Sequence, residues 1–143
     1  MALNSETETG DRRRVRSPQL WPAAAVLAVL GQAYGLYRPS APPQLSFGYA
    51  DKVEHALGFA LPVLLILLAL SARTGPVSRR PVGVVAATFA AHAVVSELIQ
   101  HRFYRYRTGD PWDVVADWVG VALGVAVFWR LRGRAPVVAK RRT

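Results

Sequence analysis

Cysteine is absent from the 143 residues, which excludes a disulfide framework, a thiolate metal site and a cysteine nucleophile. The sequence also contains no Gly-x-Ser-x-Gly element and no phosphate-cradling glycine loop, so two common signatures of hydrolases and nucleotide-binding proteins are missing. Acidic residues are scarce, with 9 Asp and Glu against 18 Lys and Arg. This composition leaves room for long stretches without charge.

Four long apolar runs hold most of the 52% of residues that are hydrophobic, at about 20–37, 53–71, 82–100 and 113–130. Each run is close to the ~20 residues that cross a hydrocarbon core of ~30 Å. We therefore predict an all-α, polytopic membrane protein with four transmembrane helices in one domain over residues 19–131. A cleaved signal peptide is the alternative for the first run, because a basic segment precedes it.

Basic residues lie in the tails and in the turns between the runs instead of forming one face, which argues against a nucleic-acid partner. We predict a disordered basic tail over residues 1–18 and a second basic tail over residues 132–143. Thirteen Lys and Arg lie on the side of the tails and five on the other side. The positive-inside rule then predicts a multi-pass protein of the cell membrane with both termini cytoplasmic.

Polar side chains gather at the predicted outer ends of the second, third and fourth runs and in the loop between the last two. The candidate binding residues are Asp51, Lys52, His55, Glu97, Gln100, Arg105, Arg107, Asp113 and Asp117. A charged side chain costs roughly 2.5–3.5 kcal/mol at the centre of a membrane helix and less near an interface. We predict that a loop arginine compensates Glu97 and Asp113. The cluster is then either a salt-bridge network that fixes the helices or a site for a polar or anionic headgroup.

Small residues and one histidine indicate how the helices pack. Gly31 and Gly35, and likewise Gly120 and Gly124, are spaced by four residues, which predicts close helix contacts. His92 lies in the middle of the third run and is expected to bond a neighbouring helix through a ring nitrogen. Histidine and carboxylates are ligands that zinc or magnesium accept, but the sequence has no His-Glu-x-x-His run, so we assign no metal and no cofactor.

The order of these residues resembles the VanZ-like family of small bacterial membrane proteins over about residues 34–130. The resemblance rests on Asp51-Lys52-x-x-His55, Glu97-x-x-Gln100, Arg107, Asp113, Asp117, Gly120 and Gly124. The family usually has Asn at the position of Asp117. The resemblance implies a four-helix integral membrane fold. It also implies a link to resistance to the glycopeptide teicoplanin, through a namesake with no established mechanism.

Two functional hypotheses follow from this sequence. In the first, which we favour, a non-enzymatic protein in the lipid bilayer binds or senses a cell-envelope component, such as an anionic lipid or a cell-wall precursor headgroup. In the second, a membrane-embedded hydrolase or transferase acts on a lipid-linked headgroup, and arginines bind its phosphate. Glu97 would then be the base, with His55 and Asp113 as further catalytic candidates.

Overall fold

The structure is a computed structural model, and it describes residues 20–38, 49–104 and 110–133. Its elements are four α-helices, namely α1 (Leu20–Tyr37), α2 (Ala50–Thr74), α3 (Arg79–Phe103) and α4 (Pro111–Gly133). The described ranges contain no strand, and all four helices are long and apolar enough to cross a membrane. The prediction of an all-α chain with four such helices is therefore confirmed.

The helices extend further into the polar flanks than the apolar runs alone indicate. The bounds of α1 match the predicted ones, whereas α2, α3 and α4 begin and end two or three residues beyond them. Pro81 is no obstacle to the earlier start of α3, because a residue in the first helical turn needs no N–H partner. The predicted tail over 1–18 lies outside the described residues, and α4 includes 132 and 133 of the second tail.

Helix α2 lies at the centre of the bundle and makes its most extensive contact with α4. A Cβ atom on Gly120 would overlap the carbonyl oxygen of Ala56, and one on Gly124 would lie 2.6 Å from the carbonyl oxygen of Ala60. These two backbones therefore approach closely because both positions lack a side chain, as predicted. Below them, Phe59, Val63 and Leu67 of α2 pack with Val121 and Phe128 of α4 in the buried core.

The other predicted glycine pair does not serve close packing within the described chain. A Cβ atom on Gly31 or on Gly35 would meet nothing within 4 Å. The expectation that this pair brings two helices together is therefore wrong for the described contacts. The spacing of four residues is the same in both pairs, so the difference comes from what faces each helix and not from the motif.

Hydrogen bonds connect the end of α1 to α3 and to the residue that follows it. The hydroxyl of Tyr37 and Nε2 of His92 lie 3.0 Å apart, and the hydroxyl of Tyr104 donates to the carbonyl oxygen of Tyr37 at 2.7 Å. The His92 ring also packs beside the rings of Phe59 and Phe89. The prediction that His92 bonds a neighbouring helix is confirmed, and the neighbour is α1.

We predict that Gly120→Ala destabilises the bundle by about 1–3 kcal/mol, the usual cost of adding a methyl group to a filled core. The added group would overlap backbone, which cannot rotate away as a side chain can. Unfolding of the purified protein in mixed micelles by added denaturing detergent measures the loss. Gly83→Ala is the matched control, because a Cβ atom there meets nothing within 4 Å. Equal stability of the two variants would contradict the close contact.

Candidate functional site

At one end of the bundle, α1 and α3 end while α2 and α4 begin, and we call it the polar end. Seven ionisable side chains gather there from α2, α3 and the start of α4. They form the polar network, which consists of Asp51, Lys52, His55, Glu97, Asp110, Asp113 and Asp117. Six of the nine candidate binding residues belong to this network. Its seventh member, Asp110, is not among the residues that the sequence predicts.

Lys52 is the cation that joins α2 to the start of α4. Its Nζ donates to Asp51 at 3.2 Å, to Asp110 at 2.5 Å and to Oδ1 of Asp113. A lysine can do this because its ammonium group carries three N–H donors. The carboxylate of Asp113 is therefore compensated from the neighbouring helix. The sequence predicts a loop arginine for this role; Arg105 and Arg107 lie outside the described residues, so among the described residues the contact to Asp113 comes from Lys52.

His55 and Asp117 form the most deeply buried pair of the network. Nδ1 of His55 lies 2.9 Å from Oδ1 of Asp117, which has no exposed surface. On the opposite edge of the ring, Nε2 is 3.8 Å from Asp113 and 4.0 Å from Asp51. Asp117 thus fixes the orientation of the ring, and carboxylates lie along both of its nitrogen-bearing edges.

Asp110 ends the preceding loop as the residue that caps α4. Its Oδ1 accepts the N–H of Trp112 at 2.9 Å, and Pro111 occupies the first helical position, where a missing N–H costs nothing. The Lys52 ammonium, followed by the Trp112 N–H, holds the pKa of Asp110 below its usual range. Its contribution to stability is therefore present above the ordinary pKa of an aspartate and is lost as the pH falls through the lowered value.

Glu97 connects α3 to this cap. It is buried, and its Oε1 accepts the backbone N–H of Asp110 at 2.6 Å. Its Oε2 has no hydrogen-bond partner among the described residues. Glu97 therefore fixes where α4 begins.

The remaining candidates divide into residues that the structure describes and residues that it does not. Gln100 is buried beside the network, and its side-chain nitrogen has no partner in the described ranges. Arg105 and Arg107 lie outside the described residues. Arg102, the described arginine nearest to them in sequence, stacks over the ring of Phe103 at 5.5 Å. Among the described residues, Lys52 and His55 are thus the basic side chains that contact these acids.

Carboxylates outnumber cations in the polar network, with five acids against Lys52 and His55. Asp51, His55 and Asp113 each offer one ligand atom, and these atoms all lie within 4.8 Å of one another, a spacing that a small cation could use. The Lys52 ammonium is bonded to two of these three residues and supplies positive charge at the same place. The Lys52 ammonium thus lies where a small cation would bind and takes its place among the described residues.

A groove of about 490 Å³ lies between α1 and α2 and reaches the polar network. This volume is within the ~300–1,000 Å³ of typical ligand sites. Asp51 and His55 line its polar part, while the exposed side chains of Leu27, Leu57 and Leu61 line its apolar part. The groove therefore joins a charged end to an apolar trough. Its shape is that of a site for an amphiphile.

Gln32 and Arg38, which are not among the residues that the sequence predicts for the site, also line the groove. Gln32 is 8% exposed, and its Nε2 has no partner in the ranges that the structure describes. Arg38 lies 6.0 Å above the ring of Tyr34, and its Nε is likewise buried without a described partner. An isolated Gln within an apolar run was the available signal for the first. For the second, the signal was a cation directly after the helix end.

Comparison with known proteins supplies no relative from which a role could be transferred. No protein-family model matches the chain, and no curated protein or solved structure is significantly similar to it. Its chemistry must therefore be inferred from the geometry. The network can bind a cationic group, orient an imidazole and present both to a ligand in the groove.

We predict that Lys52→Met lowers the free energy of unfolding on the order of 2 kcal/mol, between the values for exposed and buried ion pairs. The physical reason is that Asp113, with a side chain only 12% exposed, would lose its cation. Detergent-induced unfolding measures the change. Arg102→Met at the same end is the control and is expected to cost less, because Arg102 contacts an aromatic ring and no described carboxylate.

A double variant tests whether the cost comes from the uncompensated charge. Lys52→Met combined with Asp113→Asn should be less destabilised than the sum of the two single variants, because the second change removes the charge that the first exposes. Strict additivity of the two free-energy changes would show that Lys52 and Asp113 do not stabilise each other.

Proposed function

We propose that this chain is a VanZ-like protein of the cell membrane whose outward polar end binds the headgroup of an envelope amphiphile. One observation carries the proposal: Asp51 and His55 belong to the polar network and also line the groove between α1 and α2. A network that served only to hold helices together would not need to open into an amphipathic cavity. Non-enzymatic binding or sensing is the function that this arrangement supports best.

Convergence of the residues on which the family resemblance rests supports the VanZ-like assignment. Asp51, Lys52 and His55 are contributed by α2, and Asp113 and Asp117 by α4, yet they meet through direct contacts. The glycines of the same pattern are those that bring α2 against α4. A resemblance that depended on chance matches in separate helices would not be expected to form one contact network.

The distribution of basic residues supports an outward position for the polar end. Thirteen Lys and Arg lie in the tails, in the last turns of α4 and in the helix ends that flank the turn between α2 and α3, against five at the polar end and its loops. Both termini are then cytoplasmic, and the groove opens toward the outer leaflet. An amphiphile of the cell envelope can reach such a groove sideways from the bilayer.

Cysteine accessibility tests this orientation in a chain that has no native cysteine. We expect a membrane-impermeant maleimide added to intact cells to label Tyr49→Cys, at the polar end, and to leave Ser78→Cys unlabelled until the cells are permeabilised. Both residues are exposed and lie at opposite ends of α2. Labelling of Ser78→Cys from outside would reverse the proposed topology.

We predict that His55→Asn weakens phospholipid binding about tenfold while leaving the fold intact. Asparagine places an amide nitrogen near the position of Nδ1, so it can still bond Asp117, but it lacks the Nε2 edge that faces Asp51 and Asp113. Native mass spectrometry of the delipidated full chain, titrated with a phosphatidylethanolamine, phosphatidylglycerol and cardiolipin mixture, measures the first saturable adduct. The control is His101→Asn, because His101 is exposed at the same end.

Equal adduct occupancy in the wild type and in His55→Asn would limit His55 to a structural role. Failure of the wild type to form any saturable adduct would overturn the proposed binding function itself. Retained folding of each variant is verified by its unfolding midpoint.

The His55–Asp117 pair favours a second candidate function, a hydrolase or transferase acting on a lipid-linked headgroup. A buried carboxylate that orients an imidazole at the edge of a cavity is an arrangement used in general base catalysis. This geometry favours His55 over Glu97 as the base of such an enzyme, since Glu97 is not among the residues that line the groove. The mass of the bound lipid separates the two functions: binding leaves it unchanged, whereas catalysis removes or replaces the headgroup.

A further inference from the structure

The apolar part of the groove is an open surface trough that could hold one hydrocarbon chain. Leu27, Leu57 and Leu61 line it, and a Cβ atom on Gly31 or on Gly58 would meet nothing within 4 Å. Glycine at these two lining positions thus leaves space in the groove that larger side chains would fill. Within a bilayer, lipid is the surrounding solvent, so an acyl chain is the nearest occupant of such a space.

Two buried donors indicate what lies at the head of that chain. Nε2 of Gln32 and Nε of Arg38 line the groove and lack partners in the described part of the protein. An unsatisfied polar group at membrane depth costs several kcal/mol. The two residues are six apart, which is about 9 Å along a helix. A ligand that satisfied both donors would need one hydrogen-bond acceptor at the end of α1 and a second one about 9 Å further along the helix. The phosphate and the ester carbonyl of a glycerophospholipid provide two such acceptors.

The charges at the mouth of the groove indicate the class of headgroup. Arg38 supplies a cation, while Asp51 and Glu54 supply two carboxylates on α2, three residues apart and on neighbouring parts of one helical face. A headgroup that carries only negative charge would pair with Arg38 but face these acids and the excess of carboxylates behind them. A zwitterion that carries a phosphate and an ammonium group complements both signs.

We propose that the groove between α1 and α2 binds an aminophospholipid of the phosphatidylethanolamine type. The phosphate lies at Arg38 and an ester carbonyl at Gln32. The ammonium group donates to Asp51 and Glu54, and one acyl chain passes Gly31. The proposal rests on the proposed function, because it names the amphiphile that the polar end binds. A primary ammonium group has three N–H donors and a choline group has none, so the site distinguishes these two headgroups.

The test compares single lipids on the purified full chain after delipidation. Phosphatidylethanolamine, phosphatidylglycerol, phosphatidylcholine and diacylglycerol with identical acyl chains are titrated separately, and native mass spectrometry gives the dissociation constant of the first adduct. We expect phosphatidylethanolamine to bind about tenfold more tightly than either other phospholipid, equivalent to roughly 1.4 kcal/mol, and diacylglycerol to bind most weakly. Equal or tighter binding of phosphatidylglycerol overturns the proposal and leaves the broader headgroup function standing.

Two variants locate the site. Gly31→Leu fills the trough and should abolish the first adduct of every phospholipid, whereas Gly83→Leu is the matched control, since both glycines are exposed in helices and have open space at Cβ. Arg38→Gln should weaken all three phospholipids and leave diacylglycerol unchanged. Unaltered phosphatidylethanolamine binding by Gly31→Leu would place the lipid elsewhere and overturn the proposal.

A second copy of the chain is the competing occupant of the groove. In a protein without native cysteine, Gly31→Cys reports it directly, because two copies packed through this face would form an intermolecular disulfide on oxidation in native membranes. We expect the protein to remain a monomer on a non-reducing gel. A quantitative disulfide dimer would assign the groove to the second copy and overturn the lipid proposal.

Discussion

The close approach of α2 and α4 is the constraint on which the polar end depends. The backbone of Gly120 lies against the carbonyl of Ala56, and one turn closer to the polar end Asp117 meets His55 at 2.9 Å. Hydrogen bonds weaken steeply once donor and acceptor separate beyond their usual ~3.2 Å. A side chain at Gly120 would therefore disturb both the helix packing and the buried hydrogen bond between His55 and Asp117, because both depend on the distance between α2 and α4.

The polar network contains more acidic than basic side chains, which a network that only joins the helices would not require. Five carboxylates share Lys52 and His55 within the described part of the chain, although burial of an unpaired acid is costly. Hydration at the ends of the spans lowers the cost of charge for the exposed side chains of Asp51 and Asp110. The buried Glu97, Asp113 and Asp117 depend instead on hydrogen bonds and ion pairs within the network. An excess of negative charge beside an apolar groove favours a ligand that brings a cation on a hydrocarbon chain.

The lengths of the apolar runs were sufficient to predict the four helices, because spanning a bilayer imposes a minimum length on each. Spacing also brought Asp113, Asp117 and His55 into one candidate site. It could not identify Lys52 as the partner of Asp113, since that depends on how far each helix is rotated about its axis. Helix rotation also separates Gly31 from Gly120, which have the same Gly-x-x-x-Gly spacing. Gly31 lines the groove, whereas Gly120 lies against the backbone of α2.

The identity of residue 117 decides much of the chemistry at the buried end of the site. An asparagine, which the VanZ-like pattern that this sequence resembles usually has here, would offer His55 a neutral carbonyl oxygen in place of the carboxylate. In this chain Oδ1 lies 2.9 Å from Nδ1 of His55, while the fully buried Oδ2 has no described partner, so the imidazole is the main described partner of this carboxyl group. A charged ring suits both Asp117 on one edge and the acids on the other. An imidazolium and a carboxylate together carry no net charge, so Asp117 favours the charged form of the His55 ring, as an asparagine would not, without adding to the net charge behind the groove.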